Sequence, residues 1–333
     1  MKIALDAMGG DFAPRETVLG AIDACREFDA DVILVGNESE LNKVLAGHSL
    51  TNLKIEIHPA SEVISMDEHP ANAVKRKSNS SLVVANRLVK EGKAAAVISA
   101  GNTGAAMAAS LFNLGRIRGI DRPAIASLMP TKKGFSVLLD AGGNADCEPE
   151  NLIQFAIMGS IYAEEVLGLP QPRIGLLSIG EEETKGNKLT IEAHQLLKKS
   201  KLNFIGNIEG SDVHQGVCEV IVCDGFVGNT VLKVSEGLAA VLFSEIKAAI
   251  SSNHLAKFGG LLIKSPIRKL KARLDYTEYG GMPLLGINGI SMISHGSSNA
   301  KAIKNAIKAA VKIVNQDIVS KITASLSVQY ALL

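Results

Sequence analysis

The amino-acid sequence predicts an α/β protein, a doubly wound and mainly parallel sheet covered by helices in an α/β/α sandwich. Short apolar runs alternate with helical patterns along most of the 333 residues. The strand-like runs are almost wholly apolar, which is typical of a parallel sheet buried on both faces. Glycine is abundant, with 31 residues, and aromatic residues make up only 4%. Such a composition is expected where many strand-to-helix turns need glycine.

The strands are predicted where apolar residues cluster between turn-forming residues. They span residues 2–6, 31–35, 53–57, 95–99, 135–140, 173–178, 203–206 and 219–223. The helices are predicted where apolar residues recur at helical spacing. They span residues 15–28, 38–46, 70–91, 103–114, 149–167, 187–199, 229–252 and 296–324. No Pro- or Ser-rich linker interrupts the alternation, so residues 1–333 are predicted to form a single domain.

One basic and apolar segment, from His254 to Leu274, departs from this alternation. It carries six Lys and Arg residues without an acidic one, and Pro266 is expected to split it into two short helices. A basic amphipathic helix can lie in the headgroup region of an anionic membrane. We therefore predict a protruding helical hairpin over 238–275. The expected membrane contacts are Leu261, Leu262, Lys264, Arg268 and Lys269. A surface helix pair packed on the body or on a dimer mate is the alternative.

Composition and missing motifs exclude several functional classes. The net charge is +1, and few aromatics with no basic stripe argue against nucleic-acid binding. The chain has no P-loop, no G-x-G fingerprint and no G-x-S-x-G elbow. Its seven histidines show no metal-binding spacing. We expect neither a cofactor nor a metal.

Cysteine usage and the absence of a signal-like segment predict a cytoplasmic protein. The four cysteines form no C-x-x-C pair and are expected to be buried thiols, as in a reducing compartment. The N-terminus enters a strand at once. No run approaches the roughly 20 apolar residues of a membrane span.

Three strand-to-helix turns are rich in glycine and also carry Asn, Asp or Thr. They span residues 6–11, 99–104 and 224–230. Glycine lets the backbone approach a ligand closely, and the N–H groups of the next helix suit an anion, above all phosphate. Ligands in doubly wound sheets bind beyond the C-terminal ends of strands, so the three turns are expected to converge on one cleft.

The second turn predicts an anion cradle. Asn102 or Thr103 can cap the following helix, and the backbone of Gly101, Thr103 and Gly104 can bind phosphate. Asn102 is also a candidate donor to an oxyanion.

The third turn offers similar donors beside a carboxylate. Asp224 is a candidate base or positioning acceptor, or alternatively a turn former. Gly225 and Gly228 are predicted to bind phosphate, and Asn229 is a candidate catalytic residue.

The carboxylates of the first turn are expected to organise its loop. Asp6 and Asp11 flank Gly9 and Gly10, and two carboxylates beside a phosphate are unfavourable unless a cation joins them.

A fourth turn pairs Asp140, also expected to organise its loop, with Asn144. The Asn144 amide could donate to a carbonyl oxygen or serve only as a turn residue.

Two further turns contribute candidate polar side chains. Lys185 follows an apolar strand and is a candidate point charge for phosphate. His295 could bind phosphate or act as an acid or base. Ser297 is a candidate phosphate ligand, and Ser297 or Ser298 is expected to cap the last helix.

In order along the chain, these motifs resemble the bacterial phosphate acyltransferase family of phospholipid synthesis. The matching segments are 6–11 (DAMGGD), 99–105 (SAGNTGA), 115–123, 185–187, 224–229, 279–281, 283–286 and 295–298. One departure is Asp140-Ala141-Gly142-Gly143-Asn144, where the family usually reads D-V-G-A-N.

The resemblance implies acyl transfer from acyl carrier protein to inorganic phosphate, giving acyl phosphate. A membrane-embedded acyltransferase would then use that product on glycerol 3-phosphate. It also implies a fold shared with phosphotransacetylases and isopropylmalate-type dehydrogenases, a homodimer, and peripheral membrane association through the basic hairpin.

Three alternative functions remain open at this point. The protein could be a coenzyme A-dependent phosphotransacetylase. It could be a metal- and NAD-dependent decarboxylating dehydrogenase on the related fold. It could also be a membrane-surface scaffold without turnover.

Overall fold

The strands form two mainly parallel sheets in a computed structural model that describes residues 1–274 and 280–330. The strands are β1 Lys2–Asp6, β2 Asp31–Gly36, β3 Lys54–Pro59, β4 Ala96–Ser99, β5 Ala124–Ile125, β6 Ser127–Thr131, β7 Gly134–Leu139, β8 Ile174–Leu177, β9 Phe204–Ile208, β10 Val220–Val222, β11 Met282–Leu285 and β12 Ile290–Ile293. The helices are α1 Arg15–Phe28, α2 Glu38–Leu45, α3 Pro70–Arg76, α4 Ser81–Lys90, α5 Thr103–Leu114, α6 Pro149–Glu165, α7 Lys188–Lys199, α8 Gly225–Ser251, α9 His254–Leu274, α10 Ala300–Asn315 and α11 Ile318–Tyr330.

The first sheet has seven strands in the order β3-β2-β1-β4-β12-β11-β5. The five strands from β3 to β12 are parallel to one another. β11 is antiparallel to both of its neighbours. The C-terminal ends of β1, β4 and β12 therefore lie side by side at one edge, and the turns at residues 6–11, 99–104 and 294–298 follow them.

The second sheet has five strands in the order β6-β7-β10-β8-β9. Only the pairing of β6 with β7 is antiparallel. β7 and β10 are neighbours in this sheet, so the turn that contains Asp140 lies beside the turn that begins at Asp224.

Helices cover both sheets, which explains why the strands are apolar on both faces. α1 and α10 pack together over the first sheet, and α4 packs on its other side against β1 and β4. α6 covers β7 and β10, and α7 covers β8 and β9. The α/β prediction with a mainly parallel sheet is confirmed, but the strands divide into two sheets where one was expected.

Several predicted boundaries are wrong for local reasons. The helix predicted over 70–91 is interrupted at residues 77–80, where Asn79 and Ser81 bond to Glu62 instead. The last predicted helix begins only at Ala300 and breaks before Ile318, because Asp317 is left-handed, with a φ of 47°.

Four short strands, β5, β6, β11 and β12, have no counterpart in the prediction. They hold between two and five residues each.

α8 and α9 form a helix pair joined by Ser252 and Asn253, and the two helices contact each other. α9 runs through Pro266 without interruption, so the expected split at that residue is wrong. Against the expectation that no segment has a spanning length, α8 is apolar and long enough, by length and composition alone, to cross a membrane.

Two predictions about the organisation of the chain, the protruding hairpin over 238–275 and the single domain over 1–333, stay predictions. Asp275, the predicted end of the hairpin, and Tyr279 of the 279–281 motif lie outside the described residues. Cys25, Cys218 and Cys223 are buried as predicted, and Cys147 is partly buried.

Candidate active site

Asp6 holds together the turns that follow β1 and β4. It is 2% exposed, and its Oδ2 accepts a hydrogen bond of 2.7 Å from the Ser99 hydroxyl. The same hydroxyl accepts the Gly101 N–H at 3.1 Å. A Cβ at Gly9 would overlap the Asp6 carboxylate, so glycine is required there. Burial raises the pKa of the Asp6 carboxyl.

Asn102 is a structural cap in the second turn. Its Oδ1 accepts the Ala105 N–H at 3.0 Å. Its Nδ2 donates to the carbonyl oxygens of Met66 at 3.0 Å and Glu68 at 3.1 Å. Both amide hydrogens are used within the protein, so the predicted donation to an oxyanion would require exchanging one of these bonds. Thr103 is exposed and is not the cap.

Gly104 is packed tightly at the start of α5. A Cβ at this position would lie 2.6 Å from Cγ of Pro70. The glycine therefore allows the close packing of α3 on α5, and its predicted contact with phosphate stays a prediction.

Asp140 organises the fourth turn as a fully buried carboxylate. Its Oδ1 accepts the N–H groups of Ile125, Gly142 and Gly143 at 3.0, 3.2 and 2.9 Å. Its Oδ2 accepts from both the backbone and the side chain of Asn144, at 2.7 and 2.8 Å. Burial raises the pKa of the Asp140 carboxyl, and these bonds oppose the rise.

Asn144 also has no free amide hydrogen in this arrangement. Its Nδ2 donates to the Pro123 carbonyl oxygen at 2.8 Å as well as to Asp140. The side chain is 8% exposed. Its position supports a structural role, and the proposed donation to a reacting carbonyl stays a prediction.

The third turn packs directly on the fourth. α8 begins at Gly225, not at residue 229 as predicted, and Asp224 caps it by accepting the Val227 N–H at 2.8 Å. The Gly225 N–H donates to the Asn144 carbonyl oxygen at 2.7 Å. A Cβ at Gly228 would overlap the Asp140 carbonyl oxygen. These glycines therefore allow the two turns to touch, and Asn229 is left exposed beyond them.

His295 and Lys233 form a polar pair that bridges the first sheet and α8. Lys233 Nζ lies 3.3 Å from His295 Nε2 and 2.8 Å from a Glu236 oxygen. Nδ1 lies 2.8 Å from the Ser297 hydroxyl and accepts the Ser297 backbone N–H at 3.2 Å. His295 therefore contacts Lys233 through one ring nitrogen and Ser297 through the other.

The sequence prediction missed Lys233, although it lies one helical turn after Asn229 on α8. It also assigned the wrong cap to the last helix, because Asn299 caps α10 by accepting the Ala302 N–H at 3.0 Å.

The turns border a cavity of about 1030 Å³. Its polar lining comes largely from several turns and from α8 and includes Asp11, Thr103, Asn229, Lys233, Glu236, Ser294, His295 and Ser298. Its apolar lining comes largely from β6, α8 and α9 and includes Leu128, Met129, Leu238, Leu242, Phe243 and Leu270. The volume lies slightly above the about 300–1,000 Å³ found for small-molecule sites.

Two of the predicted phosphate ligands, Lys185 and Ser297, are outside this lining. Lys185 is an exposed loop residue whose carbonyl oxygen accepts the Ser178 hydroxyl at 3.1 Å. Ser297 is engaged with His295.

Asp11, from the first turn, does line the cavity, and its N–H donates to the Gly296 carbonyl oxygen at 2.8 Å. The structure thus brings residues of every predicted turn to one cavity, except the turn that contains Lys185.

The nearby thiol is unsuited to nucleophilic catalysis. Cys147 Sγ donates to the Asn144 carbonyl oxygen at 3.6 Å, and burial raises the pKa of Cys147 to about 12. A thiol that stays protonated at neutral pH is a poor nucleophile. Within residues 1–274 and 280–330, no group of three or more His, Cys, Asp or Glu side chains could hold a metal ion.

The residues predicted to contact a membrane lie on one helix, α9. Leu261, Leu262, Lys264, Arg268 and Lys269 all lie on α9 and are exposed. The side chains of Leu261 and Leu262 are 68% and 72% exposed. Their predicted contact with a membrane stays a prediction.

Solved structures with a similar fold are phosphotransacetylases and related enzymes. A phosphotransacetylase from Streptococcus pyogenes has a TM-score of 0.63 at 19% identity, with 94% of each chain covered. The EutD phosphotransacetylase from Staphylococcus aureus has a TM-score of 0.62 at 17% identity, also with 94% of each chain covered. At these identities the likeness shows the fold alone.

Sequence comparisons cover nearly the whole chain. A family model described as "Fatty acid synthesis protein" matches residues 1–321. A phosphate acyltransferase from Pelotomaculum thermopropionicum is 56% identical over 98% of this chain and 95% of its own length. A phosphate acyltransferase from Desulfitobacterium hafniense is 54% identical over 98% of both chains. This chain, with its turns gathered around one cavity, therefore belongs to the phosphate acyltransferase family.

Proposed function

We propose that this protein transfers an acyl group from the thioester of acyl carrier protein to inorganic phosphate. A phosphate oxygen attacks the thioester carbonyl carbon, the carbon–sulfur bond breaks, and the thiolate leaves and takes up a proton. The products are acyl phosphate and the free thiol of the carrier protein. Neither a cofactor nor a covalent acyl-enzyme is needed.

The observation that carries this proposal is one cavity with both polar turns and an apolar wall. A small anion suits the turn region, and a fatty acyl chain suits the wall formed by β6, α8 and α9. Phosphate is already anionic at neutral pH, so it needs placement against the thioester more than deprotonation. The names of the similar phosphate acyltransferases support phosphate as the acceptor.

Lys233 and His295 supply charge and hydrogen-bond donors at the cavity. A protonated Lys233 can attract phosphate or stabilise the oxyanion that develops on the thioester carbonyl. His295, held by Lys233 on one side and Ser297 on the other, is positioned to exchange either partner for a substrate oxygen.

The acyl donor separates this proposal from its main alternative. A coenzyme A-dependent phosphotransacetylase acts on short acyl-CoA, and the similarity of the fold to phosphotransacetylases keeps this candidate open. The large apolar wall favours a long acyl chain. Purified protein should form acyl phosphate faster from long-chain acyl carrier protein than from acetyl-CoA, with phosphate required. A preference for acetyl-CoA, or no acyl phosphate from either donor, would contradict the proposal.

The exposed apolar surface of the α8–α9 pair supports two further parts of the proposal. On α8, Val234, Leu238, Val241 and Leu242 are each more than half exposed. Val234, Leu238 and Leu242 also line the cavity, so we propose that a second copy of the chain packs along this stripe at the edge of the cavity, which gives a homodimer. Light scattering should then report twice the chain mass, and a monomer at assay concentration would contradict this part.

We also propose that α9 binds the cytoplasmic membrane surface. Its exposed leucines would enter the headgroup region while its lysines and arginines pair with anionic lipids. A soluble enzyme held there would release its acyl phosphate close to a membrane-embedded acyltransferase that acts on glycerol 3-phosphate.

A further inference from the structure

Two buried serine hydroxyls line the cavity without a hydrogen-bond partner in residues 1–274 and 280–330. Ser294 is 3% exposed and Ser298 is 4% exposed. Among the residues described, neither hydroxyl has a hydrogen-bond partner, and both side chains line the cavity. A buried hydroxyl without a partner carries a desolvation cost, and such groups need an explanation when they occur in a native structure.

The backbone around both serines is firmly held. The Ser294 N–H donates to the Ser99 carbonyl oxygen at 2.8 Å, and the Ser298 N–H donates to the His295 carbonyl oxygen at 2.9 Å. Between the two serines, the Gly296 carbonyl oxygen accepts the Asp11 N–H of the first turn at 2.8 Å. These bonds hold the backbone from which both hydroxyls project.

Two N–H groups at the nearby start of α10 are already engaged. The Ala300 N–H donates to Glu16 Oε2 at 2.8 Å, and the Ala302 N–H donates to Asn299 Oδ1 at 3.0 Å. The hydroxyls of Ser294 and Ser298, by contrast, have no partner within the described part of the chain.

We infer that Ser294 and Ser298 donate hydrogen bonds to the phosphate substrate, and that this corner is where phosphate binds. The inference rests on the proposed function for its choice of anion. It replaces Ser297 as the serine that contacts phosphate, because the Ser297 hydroxyl is engaged with His295 Nδ1.

The charges around this corner agree with a bound phosphate. Lys233, which supplies a positive charge, and His295, which supplies ring nitrogens, line the same cavity, as does Glu236, whose carboxylate lies 2.8 Å from Lys233 Nζ. Asp11 also lines it, and its carboxylate can accept a hydrogen bond from the remaining hydroxyl of hydrogen phosphate. Hydroxyl donors add no charge, so they bind phosphate without holding the acyl phosphate product too strongly.

The test compares Ser294→Ala, Ser298→Ala and the double variant with Ser291→Ala as a control. Ser291 is a buried serine on the neighbouring strand β12, and its hydroxyl bonds to Ser110 at 2.9 Å, away from the turn. The first readout is the KM for inorganic phosphate. The second is the shift in unfolding temperature that inorganic phosphate causes, measured against sodium chloride at the same ionic strength and without any acyl donor.

We expect each cavity variant to raise the KM for phosphate about tenfold, and the double variant about a hundredfold. The phosphate-dependent shift in unfolding temperature should be lost. Without phosphate, both single variants should unfold at the same temperature as the wild type or above it, because an unpaired hydroxyl has been removed. Ser291→Ala should unfold at a lower temperature and keep the wild-type response to phosphate.

The outcomes separate this inference from the proposed function. One outcome would uphold the site and reject the acyl transfer: the wild type forms no acyl phosphate, and the serine variants lose the shift in unfolding temperature that phosphate causes in the wild type. Wild-type KM and wild-type shift in both variants would reject the site. A change in the KM for the acyl donor alone would also reject it. A wild-type protein that phosphate neither stabilises nor serves as substrate would overturn both.

Discussion

The side-chain amide of Asn144 donates to Oδ2 of Asp140 at 2.8 Å inside a turn where Asp140 accepts five hydrogen bonds. Neither residue exposes its polar atoms to the cavity lining. The pair therefore acts on the site through the backbone, by fixing the turn on which α8 begins.

Asn144→Asp should be strongly destabilising. It replaces an amide donor by a second carboxyl group next to buried Asp140, and it leaves the Pro123 carbonyl oxygen without that donor. We expect a loss of about 3 kcal/mol in the free energy of unfolding at neutral pH, measured by urea denaturation. Asn203→Asp, at an exposed loop residue, should change it by less than about 1 kcal/mol. Equal effects would contradict the structural role assigned to Asn144.

Gly228→Ala should prevent α8 from packing on the fourth turn. The added Cβ would overlap the Asp140 carbonyl oxygen, and a backbone atom cannot move aside cheaply. We expect a loss of about 3 kcal/mol or more in the free energy of unfolding. Gly237→Ala lies on the same helix with open space around its Cβ position, so it should stabilise the protein by up to about 1 kcal/mol. Destabilisation by both variants to the same extent would contradict this contact.

Lys233→Met should lower kcat/KM for acyl phosphate formation by about tenfold to a hundredfold. The variant keeps the length of the side chain but removes the charge that lies beside His295. Lys247→Met, at an exposed lysine further along α8, is the matched control and should leave kcat/KM unchanged. Steady-state assays at varied phosphate give both constants. An unchanged rate in Lys233→Met would remove this residue from the active site.

The buried carboxyl of Asp6 should make stability depend on pH. Burial raises its pKa above the ordinary value of 3.8, although hydrogen bonds from Ser81 and Ser99 oppose the rise. As pH rises, the unfolded chain loses this proton first. The stabilisation that the protonated carboxyl gives to the folded state is therefore fully present below the ordinary pKa of 3.8. It is lost as pH rises through the higher pKa of the folded state.

The free energy of unfolding of the wild type, minus that of Asp6→Asn, should therefore fall as the pH rises above the ordinary pKa value of 3.8. Urea denaturation of both proteins at a series of rising pH values measures the difference, and subtraction removes the titration of groups common to both. A difference that stays constant or increases with pH would contradict the raised pKa.

Leu261→Glu combined with Leu262→Glu should abolish binding to anionic vesicles. Each leucine buried in the headgroup region contributes about 1.5–3 kcal/mol, so sedimentation with phosphatidylglycerol vesicles should weaken at least about a hundredfold. Soluble acyl phosphate formation should be unchanged. Ile179→Glu, at an apolar loop residue that is 80% exposed, should bind vesicles like the wild type. Retained binding by the double variant would contradict a membrane role for α9.

Much of the fold follows from local sequence patterns. β1, β2 and β4 and the helices α1 and α5 lie within one residue of their predicted bounds, because each is a clean apolar run or an amphipathic repeat between turn residues. β12 was missed although it lies in the middle of the first sheet. Its four residues, Ile290–Ile293, owe their conformation to pairing with β4 and β11. A run of four residues is too short for its sequence pattern to predict that pairing.

The candidate site shows the same division. Asp6, Asp140 and the glycines of the turns were predictable, because a carboxylate or a glycine after a buried strand has few other uses. Lys233 lies on a helix that also carries Lys247 and three serines, so no local pattern distinguishes it from a solvated residue. Only the packing of α8 beside the turn at residues 294–298 brings it to His295.

The sequence by itself determined the alternation of strands and helices, the glycine-rich turns and the family. These depend on chain-local preferences, namely apolar spacing and the backbone freedom of glycine. Tertiary structure alone decided that the strands form two sheets and that the side-chain amide hydrogens of Asn102 and Asn144 are already bonded. It also decided that the hydroxyls of Ser294 and Ser298 have no hydrogen-bond partner among the described residues. Whether a buried polar group has a partner depends on residues far away in the chain, such as Met66 for Asn102, and only folding brings those residues within hydrogen-bond distance.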